Sequence, residues 1–390
     1  MSGSYLSNIP RLYLIKISKW FMLFMPIIVL FYQENGLGMA DAILLKGIYS
    51  IVIVIFEIPS GYFADVWGRK KTIIIGSILG TMGFIMYDFS SAFSGFLIAE
   101  LMLGIGQSFI SGSDSALLYD SLLKENRQKD YIKMEGRMLS LGNFAETLAA
   151  IAGGFLAEIS LRTPFTFQIF VAALAIPAAL TLTEPSFENK RKGSFSDILQ
   201  IVRASLFTNK ILKRTIYFSA IIGTSTLTFA WFIQPFLQQL GLSPSRIGFI
   251  WSALNLTVAL VTLYAYRIEK LLGKTNTIVA IAILISIGYV AIGTIESLWA
   301  IAFLFMFYIV RGVATPVLKD YINRLTTSDV RATVLSVRSF IIRFLFAVIG
   351  PFLGWYADKF SLQDALWLAG IVFFILSGYT IILWIIAEKK

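Results

Sequence analysis

The chain contains neither cysteine nor histidine among its 390 residues. Without cysteine there is no disulfide framework and no thiolate nucleophile. Without histidine, the usual zinc sites and the Ser-His-Asp hydrolases are excluded as well. We therefore predict no metal site, no cofactor and no enzymatic activity. Any side chain that carries protons near neutral pH must then be an aspartate or a glutamate.

Charged residues are also scarce. They make up 14% of the chain, whereas soluble domains carry about 25%. Hydrophobic residues reach 57%, and the mean hydropathy is +0.76. Too little polar surface remains to cover a water-exposed fold, so we expect the lipid bilayer to be the solvent. No nucleotide-binding loop of the Gly-x-x-x-x-Gly-Lys-Ser/Thr type is present, which argues against ATP as the energy source.

Apolar stretches of about 20 residues recur along the chain, which is the length that a helix needs to cross a ~30 Å hydrocarbon core. This pattern predicts an all-α membrane protein. The twelve predicted transmembrane helices lie at 11–32, 41–62, 72–90, 95–120, 138–159, 164–183, 213–236, 245–266, 275–295, 297–320, 333–356 and 363–386.

Six of these helices fall in residues 1–184 and six in residues 213–390, so we expect two six-helix bundles. The polar segment 185–212 joins them, and its part 194–207 is interpreted as a short amphipathic helix on the cytoplasmic face. A weak internal repeat relates the halves, which is typical of transporters that rock two bundles around a central site. For example, Leu139 and Gly154 recur as Leu335 and Gly350.

The net charge of +10 is distributed unevenly. A basic soluble domain would suggest nucleic acid, but here the cations collect in alternate loops. Lysine and arginine are abundant at 69–71, 124–137, 190–192, 267–274 and 324–331. The positive-inside rule assigns these loops to the cytoplasm. We therefore predict a multi-pass protein of the bacterial inner membrane with both termini cytoplasmic and no nucleic-acid partner.

The loop after the second predicted helix reads Gly-Tyr-Phe-Ala-Asp-Val-Trp-Gly-Arg-Lys-Lys from Gly61 to Lys71. Gly61 allows close helix packing, and Gly68 permits a tight turn. The loop resembles the signature motif of the major facilitator superfamily. The resemblance implies a twelve-helix monomer that works by alternating access, with a cytoplasmic gate formed by Gly61, Asp65, Gly68, Arg69 and Asp120.

Two further segments, 56–61 and 111–121, resemble a bacterial branch of that superfamily whose members are drug or metabolite exporters. The chain departs from the family in two places. Glu100 stands where an arginine is usual, four residues before Gly104. The fifth helix keeps the paired glycines of the antiporter motif, Gly153 and Gly154, but lacks its proline.

Ionisable side chains at bilayer depth are costly, so each is a functional candidate. At 100° per residue, one face of a continuous helix 95–120 would carry Glu100, Gly104, Gln107, Ser111 and Asp114. Such a stripe lines a water-accessible cavity or packs against another helix. The proton-coupling candidates are Glu100, Glu146, Asp114 and Glu57. Glu57 is deep enough to need a partner, so we favour a gate ion pair for it over a structural carboxylate near Pro59. Glu146 could simply bond a neighbouring helix.

The candidates for a substrate cavity combine cations, aromatic rings and small polar groups. Arg311, in the middle of the tenth predicted helix, is the best cationic candidate. The full set is Lys16, Trp20, Gln107, Ser111, Trp231, Trp251, Asn255, Arg311 and Arg338.

These features together predict a secondary transporter. The leading hypothesis is proton-coupled export of a small amphipathic molecule by alternating access. The alternative is uptake or uniport of an anionic metabolite or siderophore, in which Arg311, Lys16 and Arg338 would hold the anionic group. A membrane enzyme or scaffold is disfavoured by the missing histidine and cysteine.

Overall fold

The computed structural model describes residues 5–185, 210–326 and 331–388, and these residues are almost entirely helical. The predicted amphipathic helix 194–207 lies outside the described residues. The first half of the chain forms α1 (Asn8–Trp20), α2 (Ile28–Glu34), α3 (Met39–Trp67), α4 (Arg69–Phe89), α5 (Phe93–Ile110), α6 (Ser113–Lys124), α7 (Tyr131–Ile159), α8 (Thr163–Ala173) and α9 (Ala175–Leu180). The second half forms α10 (Lys210–Gln239), α11 (Pro244–Leu272), α12 (Lys274–Thr294), α13 (Ile301–Arg324), α14 (Arg331–Lys359) and α15 (Leu362–Glu388).

Eleven stretches of the described chain are long and apolar enough to cross a membrane. The remaining predicted span, 11–32, is divided between α1 and α2. With that broken helix the predicted twelve-helix architecture is confirmed. The spans 95–120 and 164–183 are likewise each built from two consecutive helices, α5 with α6 and α8 with α9.

The break in the first span has a local cause and a distant partner. Residues 21–27 are not helical, and Pro26 lies among them. Proline removes a backbone donor and disfavours the helical conformation of the residue before it. The freed amide of Leu23 donates to the buried Oε1 of Gln168 on α8, at 2.8 Å. The prediction of one continuous helix at 11–32 is therefore wrong at residues 21–27.

The glycines of α7 make room for this non-helical segment. A Cβ atom at Gly153 would overlap the backbone carbonyl oxygen of Leu23. At Gly142, a Cβ atom would lie 3.2 Å from the ring of Trp20. Small residues on one face of a membrane helix thus let another stretch of backbone approach closely.

The described residues fall into two compact units. Unit 1 contains most of the first half of the chain together with Ser243–Ser252, the beginning of α11. Unit 2 contains most of the second half together with Gly38–Gly47, which includes the beginning of α3. The predicted boundaries, 1–184 and 213–390, follow the order of the chain, whereas the units exchange these two short segments.

Each unit has its own packing core. In unit 1, α4 and α5 approach closely because a Cβ atom at Gly76 would lie 2.7 Å from the carbonyl oxygen of Gly106. In unit 2, the rings of Phe229 and Phe307 stack with centroids 3.7 Å apart, and Tyr289 packs edge-on against Phe307 at 4.8 Å. Aromatic pairs in these geometries add to the packing energy of a helix bundle.

Gly153→Ala should lower the thermal unfolding temperature of the purified protein, because the added methyl group has no space beside the Leu23 carbonyl. Gly136→Ala on the same helix is the matched control. No described atom lies within 4 Å of the position that its added methyl group would take, and alanine is the better helix former by about 1 kcal/mol. Equal unfolding temperatures for the two variants would contradict this packing.

Candidate functional site

The signature loop forms the turn between α3 and α4. Gly68 adopts a φ of +97°, which suits glycine, as the sequence predicted. The carboxylate of Glu184 accepts the backbone N–H groups of Arg69 at 2.9 Å and Lys70 at 2.6 Å, so it caps the first turn of α4. A negative charge is favourable there because helix N-termini carry partial positive charge. The sequence analysis did not identify Glu184.

Arg69 joins this loop to α6. Its guanidinium forms an ion pair with Asp120 and donates to the carbonyl of Ala116 at 2.7 Å. The close helix packing expected at Gly61 is absent, since no described atom lies within 4 Å of its Cβ position. The side chain of Asp65 lies outside what the structure describes, so its role in a gate stays a prediction.

The polar stripe predicted along helix 95–120 is interrupted. Ser111 after the end of α5 has extended backbone, and Gly112 takes a φ of +82°, so α5 and α6 are separate helices. The assumption of one continuous helix is therefore wrong. Ser111 is exposed, Gln107 is half-buried, and Glu100 and Asp114 have different partners.

Asp114 forms a buried ion pair with Lys16. The Nζ and Oδ2 atoms are 3.3 Å apart, and the side chains are only 9% and 5% exposed. The second oxygen of Asp114 accepts the backbone N–H of Ser115 at 2.8 Å. Nζ of Lys16 also lies 5.8 Å from the ring centroid of Trp20. An ion pair in such surroundings needs these extra contacts to offset the desolvation of both charges.

Glu100 is fully buried and belongs to a cluster with two tyrosines. Its Oε1 accepts hydrogen bonds from the hydroxyls of Tyr32 at 2.8 Å and Tyr87 at 2.5 Å. The two hydroxyl oxygens also lie within hydrogen-bond reach of each other, so either hydrogen can turn from Glu100 to the other tyrosine. One turn further along α5, a Cβ atom at Gly104 would lie 2.8 Å from Val52. This part of the predicted stripe thus packs against protein rather than lining an open cavity, and the sequence analysis missed both tyrosines.

The other candidates of unit 1 occupy varied positions. Glu57 is exposed, and its role in a gate ion pair stays a prediction. Glu146 and Trp20 are half-buried, and Trp251 is buried.

Unit 2 has its own buried cations. Nε of Arg338 donates to Oγ of Ser219 at 2.5 Å, and Nζ of Lys46 lies 5.4 Å from the ring centroid of Trp231. Arg311, the favoured cationic candidate, is exposed and lies over the ring of Tyr308. The structure therefore does not place Arg311 inside the unit. Asn255 is half-buried.

One face of α10 carries buried polar atoms that the sequence analysis overlooked. Ser225 Oγ, Thr228 Oγ1 and Trp231 Nε1 have no hydrogen-bond partner among the described residues. They recur every third position, so they lie along one side of the helix. Buried polar groups of this kind are costly in a merely structural role, which makes this face a candidate lining for a binding site.

Two carboxylates cap the segments that the units exchange. In unit 2, Asp358 accepts the backbone N–H groups of Met39 at 2.7 Å and Ala40 at 2.8 Å. In unit 1, Glu158 accepts the N–H of Ser245 at 3.1 Å. Glu158 and Asp358 each stand one residue before the end of a 29-residue helix, α7 and α14. We call this matched pair the carboxylate caps.

Comparison with known proteins identifies the family. The sequence model of the Major Facilitator Superfamily matches residues 18–351. The chain belongs to this superfamily. It is 23% identical to the MFS-type transporter YxaM of Bacillus subtilis over 329 residues, which cover 81% of this chain and 80% of YxaM. It is 24% identical to the quinolone resistance protein NorA of Staphylococcus aureus over 207 residues, or 53% of this chain and 50% of NorA.

The solved structures agree on the fold of this superfamily member. The nucleoside transporter NupG matches with a TM-score of 0.80 and 15% identity, covering 99% of this chain and 98% of NupG. At that identity the likeness shows the fold alone. The family and its structural neighbours are membrane transporters rather than enzymes.

Removal of either partner of the Lys16–Asp114 pair should destabilise the protein by about 3 kcal/mol, because it leaves an uncompensated buried charge. Lys16→Gln and Asp114→Asn, measured singly and together by thermal unfolding in detergent, form a double-mutant cycle. We expect the double variant to be more stable than the sum of the single losses. Additive losses would show that the two charges do not interact.

Proposed function

We propose that this chain is a proton-coupled antiporter that exports a small amphipathic molecule by alternating access. The observation that carries the proposal is the cluster of Glu100, Tyr32 and Tyr87. A fully buried carboxyl group with two adaptable hydroxyl partners is suited to exist in both protonation states within the membrane.

The chemistry of this cluster follows from its hydrogen-bonding inventory. A phenolic hydroxyl can both donate and accept. When Glu100 is a carboxylate, Tyr32 and Tyr87 donate to it, as observed. When Glu100 is a carboxylic acid, its own O–H can donate to one tyrosine, whose hydrogen then turns toward the other. A proton can therefore be taken up without leaving a buried donor unpaired.

The choice of an amphipathic substrate rests on the site and on one relative. Within unit 2, Trp231 supplies buried aromatic surface, and the same face of α10 supplies polar atoms at Ser225 and Thr228. Pockets for small molecules combine such apolar walls with a few polar groups. The similarity to a quinolone resistance protein supports quinolones as the first substrates to try.

The carboxylate caps supply the contacts that an alternating-access cycle has to break and remake. Both lie at the ends of helices that the charge pattern predicts to face outward. Asp358 and Glu158 are exposed, so water can replace either partner when a cap opens. We include the opening of both caps in the transport cycle.

The alternative is uptake of an anionic metabolite. The buried cations Lys46 and Arg338 of unit 2 favour it, because they could hold a carboxylate or phosphate group. The direction of flux distinguishes the two functions.

The test uses everted membrane vesicles, an imposed pH gradient and a fluorescent quinolone. Wild-type protein should accumulate the quinolone, and a protonophore should abolish this. Glu100→Gln should lose accumulation driven by the gradient but keep exchange of quinolone across the membrane, because the amide cannot carry the proton. Glu296→Gln, in an exposed turn, is the matched control and should behave as wild type.

Full gradient-driven accumulation by Glu100→Gln would refute the coupling role. Accumulation in right-side-out vesicles but not in everted ones would favour the uptake alternative. Loss of both accumulation and exchange in Glu100→Gln, with normal thermal stability, would indicate that Glu100 contributes to substrate binding instead.

A further inference from the structure

A concave surface of unit 2 lies at the beginning of α10, on the same face of the helix as Ser225 and Thr228 but nearer the predicted cytoplasmic end. It is a groove of about 580 Å³ along α10, α14 and α15. Its cationic end is formed by Lys210, Lys213 and Arg214, at the beginning of α10. Its other lining residues are mostly apolar, and no acidic residue is among the described residues that line it.

The cationic end is held in place by the last helix. The guanidinium of Arg214 donates to the backbone carbonyl of Leu383 on α15. Nζ of Lys213 lies 5.9 Å from the ring centroid of Tyr217. These contacts orient two long side chains that would otherwise lose more conformational entropy when they bind an anion.

The groove changes character along its length. Beyond the cations, one helical turn or more into α10, its walls are Ile221 and Leu376. Tyr217 and Tyr379 line the groove as exposed rings. Tyrosines at this position relative to cations and apolar residues are typical of the interface between headgroups and acyl chains.

The position of the groove relative to the bilayer decides which ligand fits. Residues 210–214 begin a membrane-spanning helix at the end that the charge pattern predicts to be cytoplasmic. The cations would then lie at headgroup depth and the apolar walls at acyl-chain depth. A transported substrate is instead expected near the middle of the bilayer.

We propose that this groove binds an anionic phospholipid. Lys210, Lys213 and Arg214 contact the headgroup phosphate, and an acyl chain lies along Ile221 and Leu376. Basic pockets between membrane helices on the cytoplasmic side recognise acidic headgroups by the same combination of charge and depth. This inference does not depend on which substrate is transported.

The test is native mass spectrometry of the full chain, purified in detergent and titrated with phosphatidylglycerol or phosphatidylcholine of equal chain length. Wild type should retain phosphatidylglycerol in preference to phosphatidylcholine. A triple variant, Lys210→Gln, Lys213→Gln and Arg214→Gln, should bind phosphatidylglycerol at least about tenfold more weakly, because each cation contributes to the attraction.

The matched control neutralises three cations at another predicted cytoplasmic helix end, with Arg267→Gln, Lys270→Gln and Lys274→Gln. This control should retain the preference for phosphatidylglycerol. If the groove variant fails to fold, the single variant Lys210→Gln replaces it, since Lys210 is exposed and its loss should still weaken binding measurably.

Three results would overturn the proposal. Equal retention of phosphatidylglycerol by wild type and groove variant would place the lipid elsewhere. Equal binding of phosphatidylcholine and phosphatidylglycerol by the wild type would show that the groove does not select a lipid by its charge. Displacement of phosphatidylglycerol by soluble glycerol phosphate at similar concentration would show a site for a free anion rather than for a lipid.

Discussion

Every backbone amide and carbonyl group inside the hydrocarbon region must find a partner within the protein, and the rest of this structure depends on that constraint. Within a continuous helix, the backbone N–H and C=O groups form hydrogen bonds with one another. Where they break or end, polar side chains take over, as Gln168 does for the amide of Leu23. Arg162 does the same at the end of α4, where its guanidinium donates to the carbonyls of Tyr87, Asp88 and Ser90. Gln168 and Arg162 are therefore polar residues of an apolar sequence that serve as partners for the backbone.

The sequence predicted the features that depend on local patterns. The length of apolar runs located eleven spans and a twelfth that the structure divides between α1 and α2. Glycine at position 68 predicted a turn that the structure contains. Features that depend on distant partners were not predictable. Gln168 is 145 positions from Leu23, and Tyr32 is 68 positions from Glu100, so no spacing rule connects either pair. The predicted stripe from Glu100 to Asp114 is wrong because the helix is interrupted at Ser111 and Gly112.

We propose that the carboxylate caps link this local physics to transport. Glu158 and Asp358 occupy matching positions near the ends of two helices of equal length, and each holds the beginning of a helix from the other half of the chain. The two halves of the chain thus share this contact at corresponding helix ends. In our account, these contacts stabilise one conformation of the cycle, and the protonation of Glu100 is coupled to leaving it. The account requires that the segment Gly38–Gly47 separates from α14 once in each cycle.

The most direct test is to prevent that separation. A Cβ atom at position 38 would lie 3.0 Å from Cγ of Asp358, so Gly38→Cys with Asp358→Cys can form a disulfide bond in a chain that has no other cysteine. Quinolone transport should be measured in vesicles before oxidation, after oxidation and after reduction, with each single cysteine variant as a control. The account predicts that the disulfide arrests transport and that reduction restores it to the level of the Asp358→Cys control. Transport at an unchanged rate by the fully cross-linked protein would contradict it.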